Sequence, residues 1–333
     1  MTLTIFFFSF NLFLFLLVEK FSRLYRVYDY PDKKRKFHPF PVSLIGGLFI
    51  YLNLLIFFLA NYFFSLDQEN IYKDKIFLNL LILSAFFLIG YFDDKKAINP
   101  NLKLILMFLL IYLTIFFDKQ LLLNYLSLSF LDYKFNIIFL QYFLTILCFL
   151  LFINAFNMID GINGQAGSYV IFILIIFVIN KIFLTLSIIL IVATIFILIL
   201  NFNNKLYLGS TGTLVLGFLI SDLFIKSHNI YEVFYADEIF LIMIIPGLDL
   251  FRLALTRLLN RKHPFKPDRD HIHHLAIKNF SFINSFLFMQ VILIFPYLLF
   301  LILKNFIFTI IIVLFTYIFL IYFLKKNEKN EKN

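Results

Sequence analysis

Three short polar segments in an otherwise apolar chain hold the residue types that could do chemistry. Asp93 and Asp94 are adjacent, follow an apolar run and precede Lys95 and Lys96. Adjacent carboxylates at a helix end can hold a divalent cation, or one can take a proton while the other orients it. A solvated loop with self-paired charges would give the same pattern. Asn154 to Gly164 reads N-A-F-N-M-I-D-G-I-N-G. Its small residues let a ligand approach the backbone, and Asn154, Asn157, Asp160 and Asn163 offer directional contacts to a base, a ribose or a metal. A capped turn between two helices explains the glycines but not three amides and an acid. Asp268 to His274 reads D-R-D-H-I-H-H and follows His263, Pro264 and Phe265. His271, His273 and His274 could bind zinc, but their spacing is not that of a structural zinc site and the single cysteine, Cys148, lies elsewhere. Together with Arg269 they suit the anionic oxygens of a diphosphate better.

Two further segments carry weaker signals. Lys33 to Gly47 begins with four basic residues, Lys33, Lys34, Arg35 and Lys36. These fit anionic lipid headgroups as well as a substrate phosphate. Gly209 to Gly217, G-S-T-G-T-L-V-L-G, is loosely like a phosphate-cradling loop.

The elements that must position these residues follow from composition. The chain has 333 residues, 62% hydrophobic and 15% charged. Soluble domains run at roughly 45–50% apolar and about 25% charged. That excess excludes a pair of soluble domains, a disordered chain and a secreted disulfide scaffold, and leaves lipid as the solvent. Apolar runs fall at about 3–18, 42–64, 76–91, 104–117, 136–153, 168–179, 182–200, 213–225, 239–251, 281–303 and 305–324. The expectation is an all-α polytopic membrane protein of about eleven transmembrane helices. Residues 1–324 form one membrane domain and 325–333 a charged tail. The first run lacks a basic leader and a small-residue cleavage site, so it reads as a retained anchor.

Placing the loop after the first run in the cytoplasm puts 22 of the 29 Lys and Arg residues there, as the positive-inside rule demands. The N-terminus is then outside and the C-terminus cytoplasmic. All the polar segments above fall on the cytoplasmic side, although the orientation was derived from different residues. The net charge of +9 is thereby a topology signal, and nucleic acid is not expected as a partner. A transporter would carry its key polar groups near the bilayer midplane. Only Asp222 sits there.

In this order the segments resemble the polyprenyl-phosphate N-acetylhexosamine-1-phosphate transferases, a bacterial membrane family. The resemblance runs from K-R-K-x-H at Lys34 with Gly46 and Gly47, through F-D-D at Phe92 to Asp94 and N-A-F-N-M-I-D-G at Asn154 to Gly161, to P-F-x-x-D-R-x-H-I-H-H at Pro264 to His274. The H-I-H-H form is similar to the N-acetylglucosamine branch. The resemblance implies transfer of N-acetylhexosamine-1-phosphate from a UDP-N-acetylhexosamine to undecaprenyl (polyprenyl) phosphate, release of UMP, and the start of a lipid-linked cell-envelope glycan at the cytoplasmic face of the inner membrane. By the same resemblance Asp93 and Asp94 engage and activate the lipid phosphate and Asn157 is a magnesium ligand. Asn154, Asp160 and Asn163 contact the nucleotide-sugar, Arg269, His271, His273 and His274 hold the diphosphate and sugar, and Lys36 and Lys103 contact phosphate.

Two positions depart from the family pattern. Asn163 stands where bacterial members carry Asp. Ser210 stands where the family has an Asp thought to bind Mg2+, and a neutral hydroxyl is a much poorer magnesium ligand than a carboxylate. Ser210 motivates an alternative reading, a catalytically impaired homologue that binds lipid phosphate or nucleotide-sugar without turnover. The oligomeric state is open, a homodimer being one option.

Overall fold

The computed structural model describes residues 2–31, 40–64, 73–261 and 270–330. In chain order the helices are α1 (Thr2–Leu16), α2 (Val18–Tyr25), α3 (Gly46–Phe64), α4 (Ile76–Lys95), α5 (Pro100–Phe117), α6 (Gln141–Ile159), α7 (Gln165–Ile179), α8 (Leu184–Phe202), α9 (Gly209–Asn229), α10 (Ala236–Leu259), α11 (Ile272–Asn279), α12 (Phe282–Leu303) and α13 (Phe306–Asn330). Two short 3-10 helices, Lys73–Lys75 and Lys119–Leu121, and two antiparallel two-residue ladders complete the described elements. β1 (Tyr28–Asp29) pairs with β2 (Val42–Ser43), and β3 (Tyr125–Leu126) with β4 (Phe135–Asn136).

Every apolar run becomes a helix, because a chain in hydrocarbon must satisfy its backbone polar groups internally. Nine of the described helices are long and apolar enough to cross a bilayer alone, and α1 with α2 makes a tenth as a pair bent by 69°. The eleventh run, α7, is only 15 residues. The chain is thus an all-α multi-pass membrane protein with nine or ten candidate spans by length, where the sequence led to an expectation of about eleven.

Helix α9 is the axis of the fold. Every residue from Thr211 to His228 is buried, as expected of a helix enclosed on all sides. It is packed by α3, α4 and α6. Phe218 of α9 stacks between Phe86 of α4 at 4.6 Å and Phe149 of α6 at 5.6 Å. Close approach at its start depends on missing side chains. A Cβ on Gly90 would lie 2.3 Å from the Thr211 Cα, and one on Gly47 would lie 2.3 Å from the Gly212 nitrogen. The backbones of α4 and α3 can therefore rest directly on the first turn of α9, and Gly90 is one turn before Asp94.

Helix α10 shows how an irregularity is repaired in lipid. Pro246 lies inside it and has no N–H for the carbonyl of Ile242, four residues earlier. The hydroxyl of Tyr169, buried in α7, donates to that carbonyl. Asp249 and Arg252 follow on the next turn.

Candidate active site

The carboxylates come first, because the helix that carries them is unfavourable to them. Asp93 and Asp94 occupy the last turn of α4, where the negative end of the helix dipole repels anions. Two outside groups offset that. The α9 N-terminus takes Asp94, with the Ser210 N–H donating at 2.7 Å and the Thr211 N–H at 2.9 Å. The Thr211 hydroxyl adds a third bond at 2.6 Å. The G-S-T-G segment is therefore an anion-binding helix start, and the anion it holds is the protein's own carboxylate. Asp93 accepts from Lys103 Nζ at 2.8 Å and from the Ile98 N–H at 2.9 Å. Lys103 is delivered by local chemistry: Asn99 caps α5 by accepting from the Asn101 N–H, Pro100 opens the helix, and Lys103 follows one turn later.

The third acid approaches from α6. Asn157 accepts from the Thr213 hydroxyl at 2.6 Å, which ties the end of α6 to the first turn of α9. Asp160 follows as the residue that ends α6. It has no hydrogen-bond partner among the described residues. Burial pushes its carboxyl up to about 7, and the charge of Asp94 adds to the shift. Asn163 donates to Asn204 Oδ1 at 2.7 Å and so anchors the turn after Asp160 to the loop after α8.

These groups face one cavity of about 970 Å³, lined by Asp93, Asp94, Asn157, Asp160, Asn163, Ser210 and His274 and also by Asp29, Asn204 and Tyr207. Its volume is at the upper end of the ~300–1,000 Å³ typical of ligand sites. Asp29, Asn204 and Tyr207 were missed in the sequence. Their only signal was position, beside Lys33 to Gly47 and just before Gly209.

The histidines divide into three environments. His274 lines the cavity. His273 is 4% exposed and sits behind Gly161, whose Cβ, if present, would lie 2.0 Å from its Nε2. Burial, with His274 and His271 beside it, holds His273 well below the ordinary histidine range, so it is a neutral support and does not form the wall. His271 stacks on His273 at 5.4 Å, and its Nδ1 lies 2.9 Å from Asp249 Oδ2. Asn154 is also off the wall. Its amide donates to the Leu150 carbonyl of its own helix at 2.7 Å. Lys36 and Arg269 lie outside the described residues.

Comparison with known proteins decides the family. The model of glycosyl transferase family 4 matches residues 76–228, which hold both the Asp93–Asp94 pair and the first turn of α9. A probable undecaprenyl-phosphate N-acetylglucosaminyl 1-phosphate transferase of Bacillus subtilis is 30% identical over 258 residues, covering 74% of this chain and 68% of that protein. The chain belongs to glycosyl transferase family 4. Other family 4 relatives are similar over more of the chain. The undecaprenyl-phosphate alpha-N-acetylglucosaminyl 1-phosphate transferase of Escherichia coli K12 is 27% identical over 292 residues, 83% of this chain and 75% of its own. That of Yersinia pestis is 24% identical over 287 residues, 82% and 76%. Like them, this family 4 chain is an enzyme of the membrane.

Whether a magnesium ion suits this family 4 site can be read from the donors. The carboxylates of Asp93, Asp94 and Asp160 and the Asn157 amide oxygen are hard oxygen ligands facing one cavity. Among the described residues no preformed group of three acids or histidines has metal-binding geometry. A small cation that keeps waters and shares substrate phosphates needs only one or two carboxylates from the protein, so the donor set fits.

Proposed function

We propose that this enzyme transfers N-acetylhexosamine-1-phosphate from a UDP-N-acetylhexosamine to undecaprenyl phosphate at the cytoplasmic face of the bacterial inner membrane. One oxygen of the lipid phosphate forms a bond to the phosphorus that carries the sugar, and the bond from that phosphorus to UMP breaks. The observation that carries the reading is the cavity at the start of α9, where Asp94, Asp160 and Asp93, the last paired with Lys103, meet Asn157 and His274. The relatives' names supply the lipid and point to N-acetylglucosamine as the sugar.

Each group has a task that its setting supports. The donors from Ser210 and Thr211 fix Asp94, so it does not swing as two anionic substrates enter. Lys103 cancels one of the charges that would otherwise repel the incoming phosphates. His274, on the wall, and Arg269, by resemblance, donate to the diphosphate. Asp93, Asp94, Asp160 and Asn157 would hold Mg2+, which when bound neutralises charge on the diphosphate and the departing UMP.

Ser210 does not spoil this arrangement. Its N–H holds Asp94, so it orients one of the two acids. A homologue that binds without turnover is the less favoured reading, since the relatives above are all named as transferases.

The direct test incubates membranes containing the protein with a panel of radiolabelled UDP-sugars and extracts the lipid. Label in the lipid from a UDP-N-acetylhexosamine is expected; no labelled lipid at any magnesium concentration supports the binder. A second test reads the metal itself. Ser210→Asp adds a carboxylate at the cavity and is expected to tighten Mg2+ binding in calorimetry, without reference to activity. Unchanged or weaker binding removes Ser210 as the reason for a weakened metal site.

A further inference from the structure

Asp249 was not singled out as a site residue in the sequence, and it does not line the cavity. It is nevertheless met by four groups, from Arg252, Tyr317, Ile272 and His271. It is 6% exposed, in the part of α10 that follows Pro246. Oδ1 accepts from Arg252 Nη2 at 2.7 Å and from the Tyr317 hydroxyl at 3.1 Å. The Ile272 N–H, at the first turn of α11, lies 3.3 Å from both oxygens. Oδ2 faces His271 Nδ1 at 2.9 Å. Arg252 is held in its turn, with Nε 3.0 Å from the Tyr317 hydroxyl and Nη2 donating to the Asp270 carbonyl.

One carboxylate thus joins α10, α13 and the start of the helix that carries the histidines. Arg252 balances its charge, and the N–H of Ile272 places it at the positive end of α11. A carboxylate at Nδ1 requires a proton on that nitrogen. The other nitrogen, Nε2, has no hydrogen-bond partner among the described residues. His271 then stacks on His273 with its ring nearly parallel, at 10°, and His273 lies 4.2 Å from the ring of His274 on the cavity wall.

We propose that Asp249 is a positioning residue for the transfer reaction: it fixes the tautomer and ring plane of His271 and, through the stack of His271 on His273, the placing of His274 at the cavity wall. This rests on the transferase reading above. An outer partner of this kind is worth about 10–100-fold where it orients a ligand-binding histidine. Burial of an acid explains none of this by itself, because Arg252 alone would neutralise the charge. The bond to His271, which stacks through His273 onto His274 at the wall, is what couples Asp249 to the cavity.

The test uses the full-length enzyme in detergent, with UDP-N-acetylglucosamine and undecaprenyl phosphate. Asp249→Asn is expected to lower kcat about 10–100-fold with a smaller change in KM, and Asp249→Glu to recover part of the loss. His271→Gln is expected to lose at least as much. Asp249→Asn added to His271→Gln then costs less than about twofold more, because the partner it acts through is gone. Equal losses in both backgrounds would mean a structural role and overturn the inference. A wild-type rate in His271→Gln overturns this inference alone, whereas no turnover in the unaltered enzyme removes the proposed function and this inference with it. Loss in His271→Gln with a wild-type rate in Asp249→Asn overturns the inference alone and leaves the function standing. Should Asp249→Asn fail to fold, the unaltered enzyme still decides. Nitrogen-15 spectra of histidine-labelled protein, with the His271 signal identified by its absence in His271→Gln, are expected to show the proton on Nδ1. A proton on Nε2 with Nδ1 bare overturns the proposal.

Discussion

Helix α9 meets carboxylates at both of its ends, and the two ends treat them differently. At its C-terminal end Lys226 lies 3.0 Å from Asp222, one turn earlier, and 3.4 Å from Asp118. All three side chains are sealed, with at most 2% exposed. At its N-terminal end Asp94 is also held, by three donors, but it faces a 970 Å³ cavity beside Asp93 and Asp160. Both arrangements respect the helix dipole, with an anion at the start and a cation at the finish. The difference is therefore not burial or pairing. It is whether the acids' surroundings leave room for another molecule, and only the N-terminal end does.

That contrast predicts opposite phenotypes. Lys226→Met leaves two buried acids without their cation and is expected to cost about 3–5 kcal/mol of stability. Thermal unfolding in detergent would read it. Adding Asp222→Asn should return part of the loss, and full additivity of the two changes would break the account of a sealed cluster. Asp94→Asn is expected to do the reverse. Turnover from UDP-sugar to lipid phosphate falls by about 100-fold or more, while stability changes by only about 1 kcal/mol for one altered helix-end interaction. An active Asp94→Asn enzyme would sink the catalytic assignment of Asp94.

Tyr169→Phe sharpens the same distinction at a neutral group. The freed carbonyl of Ile242 is paired by the Tyr169 hydroxyl and, without it, is an unsatisfied acceptor in a site that excludes water. The expected cost is about 1–3 kcal/mol, seen in unfolding temperature. Turnover per folded molecule should stay within about twofold, since the role is structural. A large fall in kcat at unchanged stability would instead make the Pro246 turn of α10 part of the site, through Asp249 on its next turn.

Much of the N-terminal end was legible in the sequence because its residues are clustered. Asp93 and Asp94 are adjacent, and Asn157 and Asp160 end one helix, so each pair was recognised before its partners were known. The sealed end was half legible: Asp222 stood out in an apolar run, and Lys226 at four residues' spacing is the natural helix-face partner. Asp118 comes from elsewhere in the chain and left no signal. Asp249 opens the polar stretch that ends at His274, but its bonds to His271, 22 residues on, and to Tyr317 on α13 left no signal. Helix count was legible to within α7, whose 15 residues fall short of a span. Apolar runs report burial, whereas span length depends on where the helix ends, and short runs do not show that.

Asp160 gives an effect confined to one pH range and the most direct test of an acid left open for a cation. Its carboxyl is raised from 3.8 to about 7, so the folded protein binds that proton more tightly than the unfolded chain does. Ionising Asp160 therefore opposes folding. The penalty is absent below the unfolded value, grows as pH rises between the two, and is complete above about 7. Asp160→Asn never ionises. Its unfolding temperature should match the unaltered protein near pH 4 and exceed it by a few degrees near pH 8. Magnesium is expected to reverse the order at the higher pH, because a bound cation favours the ionised carboxylate and stabilises the unaltered protein by mass action. A lysine-paired acid such as Asp222 should show no such magnesium response. If Asp160→Asn and the unaltered protein share one pH profile and one magnesium response, Asp160 is not the open ligand, and the distinction between the two ends of α9 loses its chemical meaning.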